Sequence, residues 1–180
     1  MTTPDQVHPF LEAARRYVQR ALGVELDGSD TSLAFVDHYI DKTARAEALK
    51  LDVLALIAPA LGAYFGEVVI AKLGGHWLIE DADPNHWRVE LTPAPLTFHP
   101  VGMAAEALRG GEVDGFDGNF VTRNDLTGPL SVALEGAPPV DEGYYYSLTG
   151  RLETLEHVTD LLVEIERKRR EPPPSGDDVN

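Results

Sequence analysis

Residues 53–77 read VLALIAPALGAYFGEVVIAKLGGHW, and the fold class turns on how this stretch divides. From Val53 to Gly66 no residue is charged; Asp52 and Glu67 bound the run and Pro59 interrupts it. Its 14 residues fall short of the ~20 apolar residues that a membrane span requires, so the run reads as a buried core helix. Upstream, Thr43 is a candidate cap, and the helix is expected over Thr43–Leu73 with Gly74-Gly75 as its stop. Pro59 is expected to kink or divide it, because the ring clashes with the preceding turn and supplies no N–H. Gly62 and Gly66 lie four apart, on one helix face. Each interior glycine weakens a helix by about 1 kcal/mol relative to alanine, which points to another backbone approaching closely there.

Outward from this helix the pattern changes on either side. Towards the N-terminus, Val7, Phe10, Leu11, Ala14, Tyr17, Val18 and Leu22 recur at helical spacing over Pro4–Leu22, with Gly23 as a stop. Leu33, Val36 and Ile40 then share a face of a shorter helix led by Thr31 or Ser32 as N-cap. Towards the C-terminus, short runs at His76–Glu80, Trp87–Leu91 and Leu96–Phe98, punctuated by Asp, Asn and Pro, read as antiparallel strands. A short helix over Val101–Arg109 follows, then strands expected at Asn119–Arg123 and Leu130–Leu134. A last helix begins at Ser147 and carries Leu148, Leu152, Leu155, Val158, Leu162 and Ile165 on one stripe, with Tyr144–Tyr146 placed to staple its start. The class expected is α+β: N-terminal helices and a C-terminal helix packed on a small antiparallel sheet. Residues 1–171 are expected to form one domain, with an acidic, Pro-rich disordered tail at 172–180.

The stretch that decides the fold also holds the most distinctive polar groups. Tyr64 and Glu67 sit at the helix end, and Glu67, in an apolar neighbourhood, must be hydrogen-bonded or shifted in pKa. The first reading of Glu67 is structural, fixing a loop or strand by accepting backbone N–H bonds; a catalytic role is the alternative. Trp77 and Trp87 fall in adjacent strands where a hairpin makes them cross-strand neighbours and core anchors. The candidate binding residues are therefore Tyr64, Glu67, Trp77 and Trp87. The segment GAYFGEVVIAKLGGHW, continued by Asp83–Glu90 and Phe98–Val101, resembles a group of bacterial domains of unknown function with a G-x-Y-x-G-E helix end and a G-G-x-W strand. The resemblance spans about residues 55–108; it implies that Tyr64, Glu67 and Trp77 act together and implies no particular chemistry.

Composition limits the remaining functions. The 180-residue chain is 43% apolar, as in ordinary globular proteins, yet has a net charge of −15. The excess is located: residues 73–166 carry 17 acidic and 4 basic side chains, whereas residues 1–72 carry 10 and 7. That balance opposes nucleic acid and anionic membrane as partners. Arg167–Arg170 reads as a cationic cap on the last helix's dipole. Cysteine is absent, which removes disulfides, thiolate nucleophiles and Cys-ligated metals. No secretion signal is read at the N-terminus, so a cytoplasmic protein is expected.

Metal and nucleotide motifs are also missing. The six histidines include no His-Glu-x-x-His. Asp81-x-Asp83-x-Asn85 opens like a calcium loop but has His86 where glycine is needed and Thr92 in place of the bidentate glutamate. Nucleophile-elbow, Walker and G-x-G-x-x-G motifs do not occur. No catalytic residue, metal or cofactor is therefore expected. The function expected is a non-enzymatic protein-binding module for a basic partner, immunity-like or chaperone-like. Two alternatives accompany it: a small-molecule enzyme or sensor with a pocket near Tyr64, Glu67 and Trp77, and a homodimer joined through the C-terminal helix.

Overall fold

The computed structural model describes residues 2–48 and 50–171; the expected tail at 172–180 lies outside the described residues. Helix α1 (His8–Leu22) starts with Pro9 in its first turn and ends at Gly23, whose φ of 70° lets its N–H reach the Gln19 carbonyl at 2.9 Å. After a turn, α2 (Leu33–Tyr39) runs through a π-helical turn, Ile40–Ala44, into the short α3 (Arg45–Glu47). Neither Thr31 nor Ser32 caps α2: the Ser32 hydroxyl turns instead to the Ser29 carbonyl and the Tyr64 phenol. The long helix is shorter than its pattern suggests. Thr43 belongs to the π turn, Lys50 is extended, and α4 occupies Leu51–Leu73.

Pro59 does not divide α4. The carbonyl it leaves without an N–H partner belongs to Ala55, which is solvent-exposed, so water can take the place of the missing donor. From Ile57 to Gly66 every residue of α4 is buried, which explains why the helix lacks a polar face: it is enclosed by α1 on one side and α5 on another, with the first two strands beyond its end. By length and composition its 23 residues could cross a membrane, but 72% of its most apolar window is buried inside the chain, as in the core helix of a folded domain.

Gly74, at φ 81°, turns the chain into β1 (Gly75–Leu78). With β2 (Arg88–Leu91), β3 (Leu96–Phe98) and β4 (Phe120–Thr122) it forms a four-stranded antiparallel meander in chain order. Trp77 pairs with Val89, Val89 with Phe98, and Thr97 with Val121. Val89, Leu91, Leu96 and Phe98 alternate onto the buried face, and Trp87, just ahead of β2, is 1% exposed. Helix α5 (Pro100–Arg109) links β3 to β4 and crosses α4 at Gly62. A Cβ at Gly62 would stand 2.6 Å from the Val101 Cα, so the close backbone approach foreseen there is real. At Gly66 the neighbour is a side chain: a Cβ would lie 2.4 Å from the Trp77 indole edge.

The α+β class and the antiparallel sheet are as expected, but one strand is not. Residues 130–134 belong to α6 (Asn124–Leu134), where Leu126 and Leu130, four apart, are buried and Val132 is exposed. Beyond α6, Tyr144–Tyr146 lie in the short α7 (Glu142–Tyr146), begun by the Asp141 carboxylate accepting the Tyr144 N–H. Helix α8 (Leu148–Arg170) packs against α2, α5, α6 and α7. Its first turn is capped twice. The Ser147 hydroxyl accepts from the Gly150 N–H, and Asp37 of α2 accepts from the N–H groups of Leu148 and Thr149 and from the Thr149 hydroxyl.

Candidate functional site

Tyr64, Glu67, Trp77 and Trp87 do come together, and each polar atom has a partner within the fold. The Tyr64 phenol, buried on α4, contacts the Ser32 hydroxyl at 2.6 Å and accepts the Gly28 N–H at 2.9 Å. It therefore ties the turn before α2 to the core. Glu67, one turn further along and half-buried, accepts the Trp77 indole N–H at 2.7 Å and the Thr3 hydroxyl at 2.8 Å. Its donors are side chains, where backbone N–H groups were expected. The Trp77 and Trp87 rings meet edge to face at 6.3 Å, and Phe10 of α1 adds a second T-shaped contact to Trp87 at 5.3 Å. The Trp87 indole N–H donates to the Asp81 carbonyl.

Two recesses touch this group. One of about 270 Å³ lies among Thr3, His8, Arg15, Gly28, Tyr64 and Glu67; the other, about 130 Å³, lies between Pro4, Glu67, His76 and Trp77. Both fall below the roughly 300–1,000 Å³ typical of small-molecule sites. With its polar atoms engaged and little room beside them, the constellation acts as a brace that joins the N-terminal segment, α4 and β1.

A larger concavity lies elsewhere, along the N-terminal half of α8. It has a volume of about 500 Å³, and Phe120, Leu134, Val140, Tyr144 and Val158 make its walls apolar. Val140 and Tyr144 are 59% and 42% exposed, so apolar surface faces solvent there. Glu153 and His157 stand on its α8 wall. The nearby Glu153 carboxylate pushes the Tyr144 phenol above its ordinary pKa. Sequence reasoning missed this groove because its walls come from β4, the end of α6, the connection after it, α7 and α8. The available signal was Val140 in a Gly-Pro-rich segment followed by Tyr144, apolar groups in a stretch with no reason to be buried.

The acidic excess divides into a neutralised part and a free part. Arg169 reaches across to the Asp125 carboxylate and carbonyl, both at 2.7 Å, and Arg123 bridges Asp125 at 2.6 Å and Glu166 at 3.0 Å. Arg167 and Lys168 pair with Glu164, and Arg170 with Glu166. The basic end of α8 thus binds carboxylates of α6 and of its own last turns. Deep in the fold, Arg151 pairs with Glu106 of α5, donates to the Tyr145 phenol at 2.9 Å and stacks 4.3 Å from that ring's centroid. By contrast Glu112, Asp114, Glu135, Asp141, Glu142, Glu153, Glu156 and Asp160 have no lysine or arginine at ion-pair distance among the described residues. Glu153 lines the groove, Glu135 follows Leu134 of its wall, and Asp141 and Glu142 follow Val140.

The apolar stripe on α8 is taken up within the chain. Leu148, Leu152, Leu155, Val158 and Leu162 are all buried, and Ile165 packs against the same core. Among the described residues no three His, Asp or Glu side chains gather as a metal-binding group. No family model matches this chain, and neither a curated protein nor a solved structure does.

Proposed function

We propose that the chain is a cytoplasmic, non-enzymatic protein-binding module whose partner presents a basic surface, in the manner of an immunity protein that neutralises a basic toxin or a chaperone that holds a basic effector. The observation that carries this reading is the division of charge. The cations at the end of α8 are matched by Asp125, Glu164 and Glu166, while Glu135, Asp141, Glu142, Glu153, Glu156 and Asp160 stand without a cationic partner among the described residues. A field of one sign attracts the opposite sign over distances set by the Debye length, about 10 Å at 0.1 M salt, and raises association rates more than it lengthens residence.

The test is affinity capture. The immobilised chain is exposed to lysate of its source cell, retained proteins are identified, and the dissociation constant of each recombinant candidate is measured between about 0.05 and 0.5 M salt. A basic protein whose affinity falls steeply with salt is the expected result. Retention of no basic protein, or affinities indifferent to salt, would overturn the proposal.

A further inference from the structure

We propose that the groove along the N-terminal half of α8 receives an amphipathic helix of the partner, apolar on the face it inserts and carrying lysine or arginine along its flanks. This rests on the reading of the chain as a binder of basic proteins and adds where and in what form the partner is held. The walls supply apolar contact from Phe120, Leu134, Val140, Tyr144 and Val158 around a volume of about 500 Å³. Val140 and Tyr144 are its exposed large apolar side chains, and an aromatic ring with one polar atom is the kind of group that anchors interfaces. Glu153 stands on the α8 wall, Glu135 follows Leu134 in sequence and Asp141 and Glu142 follow Val140, and none of the four has a lysine or arginine at ion-pair distance among the described residues. Apolar walls with such carboxylates on them and next to them in sequence are complementary to a helix whose apolar stripe is flanked by cations.

Dimensions favour a helix over a single inserted side chain. The α8 wall runs from Gly150 to Val158. At 1.5 Å per residue this is about 12 Å, enough for residues i, i+4 and i+7 of a docked helix, which span about 10.5 Å. That wall is fixed by the double cap on α8, whereas the facing connection, residues 135–141, is exposed throughout and can adjust to the ligand.

The experiment uses the full chain, labelled with nitrogen-15, and three synthetic probes of equal length, about 14 residues, long enough to cover the groove. The first is a leucine–lysine peptide patterned as an amphipathic helix; the second has the same composition in scrambled order; the third is oligolysine. The amphipathic peptide should bind about tenfold more tightly than either of the others, and its amide shifts should concentrate in residues 134–158. V140S and Y144S, which alter exposed side chains and should leave thermal unfolding in place, should each weaken that peptide about tenfold. Equal affinity for all three probes, or shifts centred away from residues 134–158, would overturn the groove while leaving the acidic-surface reading intact. Binding of none of the three would overturn both.

Discussion

Replacing Gly62 with alanine probes the contact on which the core is built, because here a single methyl group has two opposing effects of calculable size. Alanine is favoured over glycine within a helix by about 1 kcal/mol, so on local grounds the variant is stabilised. The added Cβ, however, would stand 2.6 Å from the Val101 Cα, 2.8 Å from the Val101 nitrogen and 2.9 Å from the Pro100 carbonyl oxygen. All are backbone atoms of the first turn of α5, which follows directly on β3 and cannot swing aside as a side-chain tip can. Overpacking of this kind costs typically about 1–3 kcal/mol, and a rigid neighbour places it at or beyond the upper end. The net is a loss of about 2 kcal/mol, or about 4–8 °C in Tm for a chain of this size. Gly136, exposed just beyond α6, is the control, since its φ is not positive and a Cβ there meets no atom within 4 Å apart from its chain neighbours. Gly136→Ala should gain up to about 1 kcal/mol by restricting the unfolded chain. Urea denaturation and calorimetry on the two variants and the parent give the comparison. If Gly62→Ala were as stable as the parent, or shifted in the same direction as Gly136→Ala, the close packing of α4 on α5 would be refuted.

Other perturbations test other joints of the structure. Stability should depend on pH through carboxylates of two kinds. The Arg123 guanidinium holds Asp125 down to about 2 and Arg167 holds Glu164 there also, so their contribution is in place above the ordinary carboxylate range and is lost as pH falls through it. Burial pushes Asp37 and Glu106 up; their contribution is in place below that range and is lost as pH rises through the raised values. Asp37→Asn should therefore flatten the decline in urea midpoint above about pH 4, and superimposable profiles would contradict this. In the buried Arg151–Glu106 pair, Glu106→Leu alone should lose about 3–5 kcal/mol by stranding a charge, while Glu106→Leu with Arg151→Met should recover most of it in a double-mutant cycle. Trp77→Phe keeps the ring contact but removes the donor to Glu67, and should cost about 1.5 kcal/mol in chemical denaturation; no loss would remove Glu67 from the brace.

What the sequence revealed and what it concealed follow from the range of the interactions involved. The change from helix to sheet at Gly74-Gly75 and the close approach at Gly62 rest on local pattern and are found; the Trp77 and Trp87 rings also meet, but not as cross-strand partners, since Trp77 pairs with Val89 and Trp87 lies just ahead of β2. Leu130, Val132 and Leu134 alternate like a strand, yet Leu126 supplies the i, i+4 partner that makes the segment a helix face, and it lies ahead of the glycine and proline that hid the periodicity. Thr43 failed as a cap because the chain reaches α4 through a π turn, a feature without a compositional signature. Asp37 caps a helix 111 residues away, and Arg151 finds Glu106 across 45 residues; no local window contains either pair. The candidate site shows the same limit. Tyr64, Glu67 and Trp77 were recognisable as a group because they share one helix end and the strand after it, whereas the groove draws its walls from segments between Phe120 and Val158.

The central claim, that located carboxylates and not overall acidity recruit a basic partner, is tested most directly by comparing two triple variants of equal net charge. One carries Glu135→Gln, Glu142→Gln and Glu153→Gln at the groove; the other carries Asp5→Asn, Glu25→Gln and Glu47→Gln, three exposed acids of the N-terminal region. Association rates with the amphipathic leucine–lysine peptide are measured by stopped flow at about 20 mM and about 0.5 M salt. The groove triple should associate about tenfold more slowly than the parent at low salt and converge with it at high salt, while the N-terminal triple stays close to the parent at both. Equal slowing by the two triples would mean that the protein attracts cations by net charge alone, and would contradict the claim.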